Sequence, residues 1–401
     1  MDTIFDKAGS DDYEEVIDFA NYVFSEAHAP TNFPEILPKL YKREYFMDAI
    51  HYLARENGKI KAAVGAYPLE LEFSGSDLSG VTLPGRGIGM VSVHPYSRSK
   101  GYMKELMNMA LDDMRRDGIV FTCLGGLRQR YEYFGYSQTG SIYTFNCSET
   151  NIRHTLGSNW NTGLTLKQIG PDDADLLDRI HELHETKISR FHRRRDRLFD
   201  ILSSWKSKIL AVIEEERFAG YIIYRARGTE HYVTEINLRD LSRLPEVIGL
   251  FLRNGKAAGM KSEVEVNVNP NETEKLSAFC RFAEDFSLKP VYHFSIFNYI
   301  RFLEPFLKIQ EHERNLADGS VVLQIEGGPR LRLAVKDSVT SIEDITNLQT
   351  QVSAELYISN LDAHSFFFSP LGPQIFPKIM KSVFLQNLLP LPLFFEKPDG
   401  I

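Results

Sequence analysis

The stretch Val91-Ser92-Val93-His94-Pro95-Tyr96-Ser97-Arg98-Ser99-Lys100-Gly101-Tyr102-Met103 decides how this chain is read. Residues 86–93 predict a strand, Pro95 stops it, and the polar run 97–100 forms a turn. Met103, Leu106, Met107, Ala110, Leu111 and Met114 then share one face of a helix predicted over 101–117. A helix start offers unbonded N–H groups and the positive end of the helix dipole. Gly101 lets the backbone approach an anion, and Arg98 and Lys100 add charge. The stretch therefore suits a pyrophosphate, although a plain strand-to-helix turn with incidental charges has the same pattern.

Reading outward, Val16, Phe19, Ala20, Val23 and Phe24 mark the apolar face of a helix, with Asp11 or Asp12 as its candidate N-cap. Segments 51–56 and 60–71 flank Asn57-Gly58, a tight-hairpin signal, and residues 119–123 read as a short buried strand. This order predicts a mixed α/β sheet. A weaker second round follows, with helix 174–185, strands 209–213, 219–224 and 233–238, helix 244–255 and strand 264–268. Residues 210–214 stand where 53–56 stand in the first round, which suggests a duplicated domain. From about residue 301 come a helix, strands 321–325, 331–335 and 354–358, and apolar helical stretches, read as a separate α+β domain. The predicted domains are 1–149, 150–300 and 301–401.

A chain of 401 residues is long enough for two or three cores, and 43% hydrophobic with 25% charged residues is ordinary for a soluble globular protein. The longest apolar run, 383–395, is broken by Gln386, Asn387, Pro390 and Pro392 and falls short of the roughly 20 residues that span a bilayer. The N-terminus carries no signal-peptide pattern, so a cytoplasmic location and no membrane partner are expected. Cys123, Cys147 and Cys280 are widely spaced and read as buried thiols. A net charge of −8 argues against nucleic-acid binding and suits a cationic substrate. His181 and His184 with Glu182 lack zinc-site spacing. Arg190, His192, Arg193, Arg194, Arg195 and Arg197 read as a basic, helix-compatible face, solvated or in contact with another subunit.

Arg98-Ser99-Lys100-Gly101-Tyr102-Met103 matches, at Arg98 and Gly101, the Arg/Gln-x-x-Gly-x-Gly/Ala signature of the GNAT superfamily; Met103 replaces the expected small residue. Together with Tyr131-Glu132-Tyr133-Phe134-Gly135-Tyr136, it makes the whole chain resemble the Eis-type (enhanced intracellular survival) N-acetyltransferases. The resemblance implies an α+β (mixed α/β) chain of tandem GNAT-like domains, the second degenerate, followed by a sterol-carrier-like α+β domain. Degeneracy fits Arg239-Asp240-Leu241-Ser242-Arg243, which has no glycine at the phosphate-facing turn. It also implies acetyl-CoA as co-substrate without a metal, and a symmetric homo-oligomer such as a hexamer. The acceptor would be a cationic amine: an aminoglycoside, a polyamine or a lysine side chain.

By the same resemblance, Val91, Ser92, Val93, Arg98, Ser99, Lys100, Gly101, Tyr102, Met103, Gly126 and Leu127 hold the cofactor. Tyr131 is the general acid, the chain-terminal carboxylate of Ile401 the base, and Glu26 faces the amine. Each has a plainer alternative: an aromatic packing residue for Tyr131, a frayed end for Ile401 (family tails commonly end in an aromatic), a solvated carboxylate for Glu26. A competing reading is a non-catalytic lipid or small-molecule binding protein. Its C-terminal cavity would be lined by Phe366, Phe367, Phe368, Ile375, Phe376, Ile379 and Phe384, residues that could equally fill a core.

Overall fold

The computed structural model describes residues 3–27, 29–75, 77–348, 355–377 and 381–401; Ala354 and Ile379 lie outside them. Strands Ile50–Glu56 and Lys59–Phe73 meet at Asn57 (φ 51°) and Gly58 (φ 75°), the two left-handed residues that a two-residue hairpin turn requires. The second hairpin, Lys208–Glu214 with Arg217–Arg227, turns at Glu215 (φ 46°) and Glu216 (φ 66°). Both hairpins carry a bulge at the same place, after Ala54 and after Val212. In each half the next long strand, Thr82–Val93 or Glu230–Leu238, pairs antiparallel with the hairpin. It then runs parallel to a short strand after a helix, Phe121–Leu124 or Glu263–Val268.

Neither sheet is contiguous in sequence. After Ser137–Thr139 the chain leaves the first sheet, and Ile142–Ser148 inserts between Glu263–Val268 and Asp285–Lys289 of the second. Strand Tyr292–Ile296 returns, entering the first sheet between Phe121–Leu124 and Ser137–Thr139. The spans 1–149 and 150–300 are corrected accordingly: 142–148 belong to the second sheet and 292–296 to the first. Each inserted strand satisfies an edge that would otherwise expose unpaired backbone groups.

The C-terminal part comprises helix Tyr299–Glu313, strands Gly319–Ile325, Arg330–Lys336, Val339–Asp344 and Glu355–Ile358, and helix Asn360–Phe368. Phe366, Phe367, Phe368 and Phe384 share one core with Leu71, Phe73 and Phe121 of the first sheet, so they fill space between domains. Ile375 is exposed, and Phe376 packs at the margin of that core. Among the described residues no helix is long and apolar enough to cross a membrane. Cys123 and Cys147 are buried, but Cys280 is exposed, because the helix Thr273–Phe279 ends just before it.

The basic row is also corrected. Ser189–Phe191 pairs as a strand with residues 71–73, only Arg195–Arg197 forms a helical turn, and Arg193 is fully buried.

Candidate active site

Pairing between Thr82–Val93 and Phe121–Leu124 runs from Gly85–Phe121 to Ile88–Leu124 and then stops. On its other edge Thr82–Val93 shifts register between Ala63 and Gly65, and Met90 sits at φ 55°. A bulge with a left-handed non-glycine residue bends the strand away from its neighbour. Past Ile88 the strands splay, and the free edge of Gly89–Val93 faces Gly125, Gly126 and Leu127 across a cavity of about 960 Å³. Unpaired amide groups on that edge can bond an extended, amide-bearing chain such as pantetheine.

At the strand's end, Ser99 (φ 67°) and Gly101 (φ 83°) are both left-handed, and helix Tyr102–Arg116 begins. A Cβ at Gly101 would meet nothing within 4 Å, so glycine is required there by conformation and not by crowding. Gly101 provides no side-chain cap, which leaves first-turn N–H groups for an anion. Val91, Ser92, Val93, Arg98, Ser99, Gly101, Tyr102 and Met103 all line the cavity. Arg98 is exposed and has no ion pair among the described residues.

Lys100 departs from expectation: its Nζ pairs with Glu56 Oε1 at 2.7 Å, and it is not part of the wall. The Tyr102 phenol also bonds Glu56, so this residue offers the cleft its backbone at the helix start. Replacing Gly101 with Asp should weaken binding of an acyl-CoA at least about tenfold, from left-handed strain of about 1–3 kcal/mol plus charge repulsion. Calorimetry on Gly101→Asp and Gly101→Ala separates the two effects. Wild-type affinity in a folded Asp variant would remove this turn from the binding site.

Tyr131 ends the short helix Arg128–Tyr131 and is 8% exposed, edge-on to Tyr136. Gly126 makes room for it: a Cβ there would lie 2.5 Å from the Tyr131 ring. Burial raises the phenol's pKa above its ordinary value of 10.0, with Arg130 opposing, so Tyr131 stays protonated at neutral pH and can donate.

Ile401 lines the same cavity. Its side chain lies over two glycines on one face of the central strand: a Cβ at Gly87 would fall 1.3 Å from Ile401 Cδ1, and one at Gly89 2.7 Å from Cγ2. The tail is fastened rather than frayed. Lys39 Nζ donates to Pro398 O at 2.6 Å, Trp205 Nε1 to Gly400 O at 3.4 Å, and the Tyr292 hydroxyl to Ile401 O at 3.5 Å. Burial, partly offset by Asp399, pulls Lys39 down to about 7. Ile401 also borders a second cavity, of about 370 Å³, lined by Tyr45, Asp48, Leu69, His192 and Arg197 among others.

Behind the tail lies a buried ionic network with no signal in the sequence. Arg193 Nε donates to Asp399 Oδ1 at 2.7 Å, and its terminal nitrogens reach Glu235 (2.8 and 3.1 Å), Glu396 (3.0 Å) and Asp399 (3.0 Å). Lys187 bonds Glu235 at 2.9 Å and also Glu396. Burial pushes the Glu235 carboxyl up, but Arg193 and Lys187 outweigh it and hold it well below the usual range. Burial and the charge of Glu235 push Glu396 up to about 7. His184, in contact with both carboxylates, is kept neutral by burial and by Arg193. These three could hold a metal ion geometrically, but Arg193 and Lys187 already neutralise the carboxylates. In the second half, Lys275 Nζ donates to Ile236 O at 2.6 Å, on the strand that corresponds to the central one, and Asp240 caps the turn that follows.

Glu26 is exposed on helix Tyr13–Ala27 and does not line the cavity; Val23, Phe24 and Ala27 do. At 100° per residue, Glu26 lies off the face those three share. Two further wall groups went unread in the sequence. Phe33, Leu37 and Tyr41 follow the helix in short turns, although Pro34 and Pro38 at the turn starts are a usable signal. Trp205 comes from the second half and is held at φ 61°.

Residues 5–139 match the family profile described as Acetyltransferase (GNAT) domain. No curated protein matches the sequence. Among solved structures, a GCN5-related N-acetyltransferase from Kribbella flavida superposes with TM-score 0.64 at 15% identity, over 100% of this chain and 98% of that one. Eis1 from Mycobacterium abscessus gives 0.61 at 13%, covering 100% and 99%. A probable N-acyltransferase from Enterococcus faecalis V583 gives 0.64 at 17%, covering 91% and 89%. At such identities the superpositions establish a shared fold, while the profile match establishes the domain that lines the cleft. Residues 5–139 are similar to the GNAT acetyltransferase domain, and the chain as a whole shares the fold of Eis1 and of the GCN5-related N-acetyltransferases.

Proposed function

We propose that this protein transfers the acetyl group of acetyl-CoA to a primary amine. The observation that carries the reading is the meeting, in one cavity, of a splayed strand leading to an uncapped helix start, a buried protonated tyrosine, and Ile401, whose carboxyl oxygen accepts from Tyr292 at 3.5 Å. The splayed edge at Val91 and Val93 holds the pantetheine arm, and residues 98–103 surround the pyrophosphate. The carboxylate of Ile401 takes a proton from the incoming ammonium, directly or through one water. The amine nitrogen then bonds the thioester carbonyl carbon and passes its second proton to water, the C–S bond breaks, and Tyr131 protonates the departing sulfur, which leaves a neutral amide and free CoA thiol. Both residues gain or lose one proton, and solvent restores them.

Release of free thiol from acetyl-CoA across a panel of primary amines tests the reading. Stoichiometric acetyl-CoA binding without turnover on any amine, with a lipid co-purifying, would favour a binding protein instead. Replacing Tyr131 with Phe keeps the ring in its slot beside Gly126 and removes the proton donor. The turnover number should fall about 10²-fold with cofactor affinity unchanged. Near-wild-type turnover would make Tyr131 a packing residue.

A further inference from the structure

The acceptor end of the cleft is apolar and carries little negative charge. Beyond the splayed strands, its wall is Val23, Phe24, Phe33, Leu37, Tyr41 and Trp205, and Ile401 packs against the same cluster and lines the cavity. Among the described residues no Asp or Glu side chain belongs to that wall, and Glu26 on the adjoining helix is on the outside. Cations gather behind it: Lys397 Nζ is 4.9 Å from the Trp205 ring and Arg225 6.0 Å, and Lys39 holds the tail carbonyl of Pro398. In the second cavity past Ile401, Asp48 is taken by Arg194 and Arg197, and Asp399 by Arg193, which leaves the exposed Glu70.

Trp205 is in a conformation that bulky residues rarely adopt, with Lys206 also left-handed beside it at φ 57°. The surrounding structure holds that strain, and the indole is aimed at the Gly400 carbonyl and the cavity.

The geometry points to an acceptor that is a primary monoamine with an aromatic or alkyl body, the body lying against Trp205 and Phe33 and the amine at Ile401. This rests on the acetyl-transfer reading above. One ammonium is met by one carboxylate, whereas each further charge of a polycation would enter an apolar wall with no acid to pair it and with lysine and arginine nearby. The subsite thus selects against polyamines and aminoglycosides, although the acidic chain as a whole would attract them.

The test compares phenethylamine, ethylamine and spermidine with acetyl-CoA, reading kcat/KM by thiol release. Binding of each amine is read separately from Trp205 emission in a Trp160→Phe background. Phenethylamine should exceed both others at least tenfold in kcat/KM and bind at least tenfold tighter than spermidine. Trp205→Ala should collapse the ratio between phenethylamine and ethylamine; should that variant fail to fold, Ala27→Glu at the exposed rim should raise spermidine against phenethylamine at least tenfold. Spermidine binding as tightly as phenethylamine, or serving as well, overturns the inference. So does a preference for octanoyl-CoA over acetyl-CoA with ethylamine, which would put an acyl chain in the pocket. Phenethylamine binding selectively without any turnover would instead sink the transfer reading and leave the selectivity standing.

Discussion

Semisynthetic enzyme carrying a C-terminal amide at Ile401 should lose at least about 10²-fold in turnover, a typical contribution of a general base. The amide differs from the carboxylate by one charge and almost nothing in shape, so the packing of the Ile401 side chain over Gly87 and Gly89 survives. Among the described residues of the acceptor wall, no acidic side chain is placed to substitute. A carboxylate beside an ammonium favours the charged amine and then removes its proton, so amidation should alter the pH profile as well as the rate. Deleting Ile401 is a poorer experiment, because Gly400 then presents a carboxylate displaced by up to about 3.5 Å. If amidated enzyme keeps wild-type turnover and pH optimum, proton removal belongs elsewhere in the cleft.

Replacing Arg193 with Met should destabilise the fold by about 3–5 kcal/mol, the typical cost of breaking a buried ion pair by removing one partner. Three carboxylates, those of Glu235, Glu396 and Asp399, lose a shared cation in a place without solvent, and Lys187 reaches only the first two. Because Asp399 stands two residues before Ile401, turnover should fall too, even well below the melting temperature. Adding Asp399→Asn to Arg193→Met removes an orphaned charge and should recover part of the stability but not the activity. Thermal denaturation and steady-state rates on the two variants check this. A melting temperature within a degree of wild type for Arg193→Met would mean the network contributes nothing to holding the tail.

Some of this was legible in the sequence and some could not be, for identifiable physical reasons. Asn57-Gly58 announced its hairpin because those residues tolerate left-handed backbone, whereas Glu215-Glu216 makes the same turn from residues that give no such signal. The strand, turn and helix around Gly101 are local, so periodicity placed the helix within a residue at each end and the strand's end at Val93, although the strand begins at Thr82, four residues before the expected 86. Exchange of 142–148 for 292–296 is a pairing between residues more than a hundred positions apart, and no local pattern encodes a partner. Side-chain direction fails likewise: Lys100 turns to Glu56 and Glu26 to solvent, although both sit where a cleft-facing charge was expected. Arg193 read as surface because isolated charge costs too much to bury; its partners came from Glu235 and from the last residues of the chain.

The crossed strands also bear on the order in which the molecule can be made. A nascent chain halted between residues 149 and 262 has synthesised Thr82–Val93, Phe121–Leu124 and Ser137–Thr139 yet lacks the filler between the last two. Its orphaned Ile142–Ser148 meanwhile awaits both neighbours, residues 263–268 and 285–289. Folding of the first sheet must therefore wait on translation of the second, and the two should melt in a single transition. The chain that follows the second sheet thus supplies the first with a strand it lacks, Tyr292–Ile296.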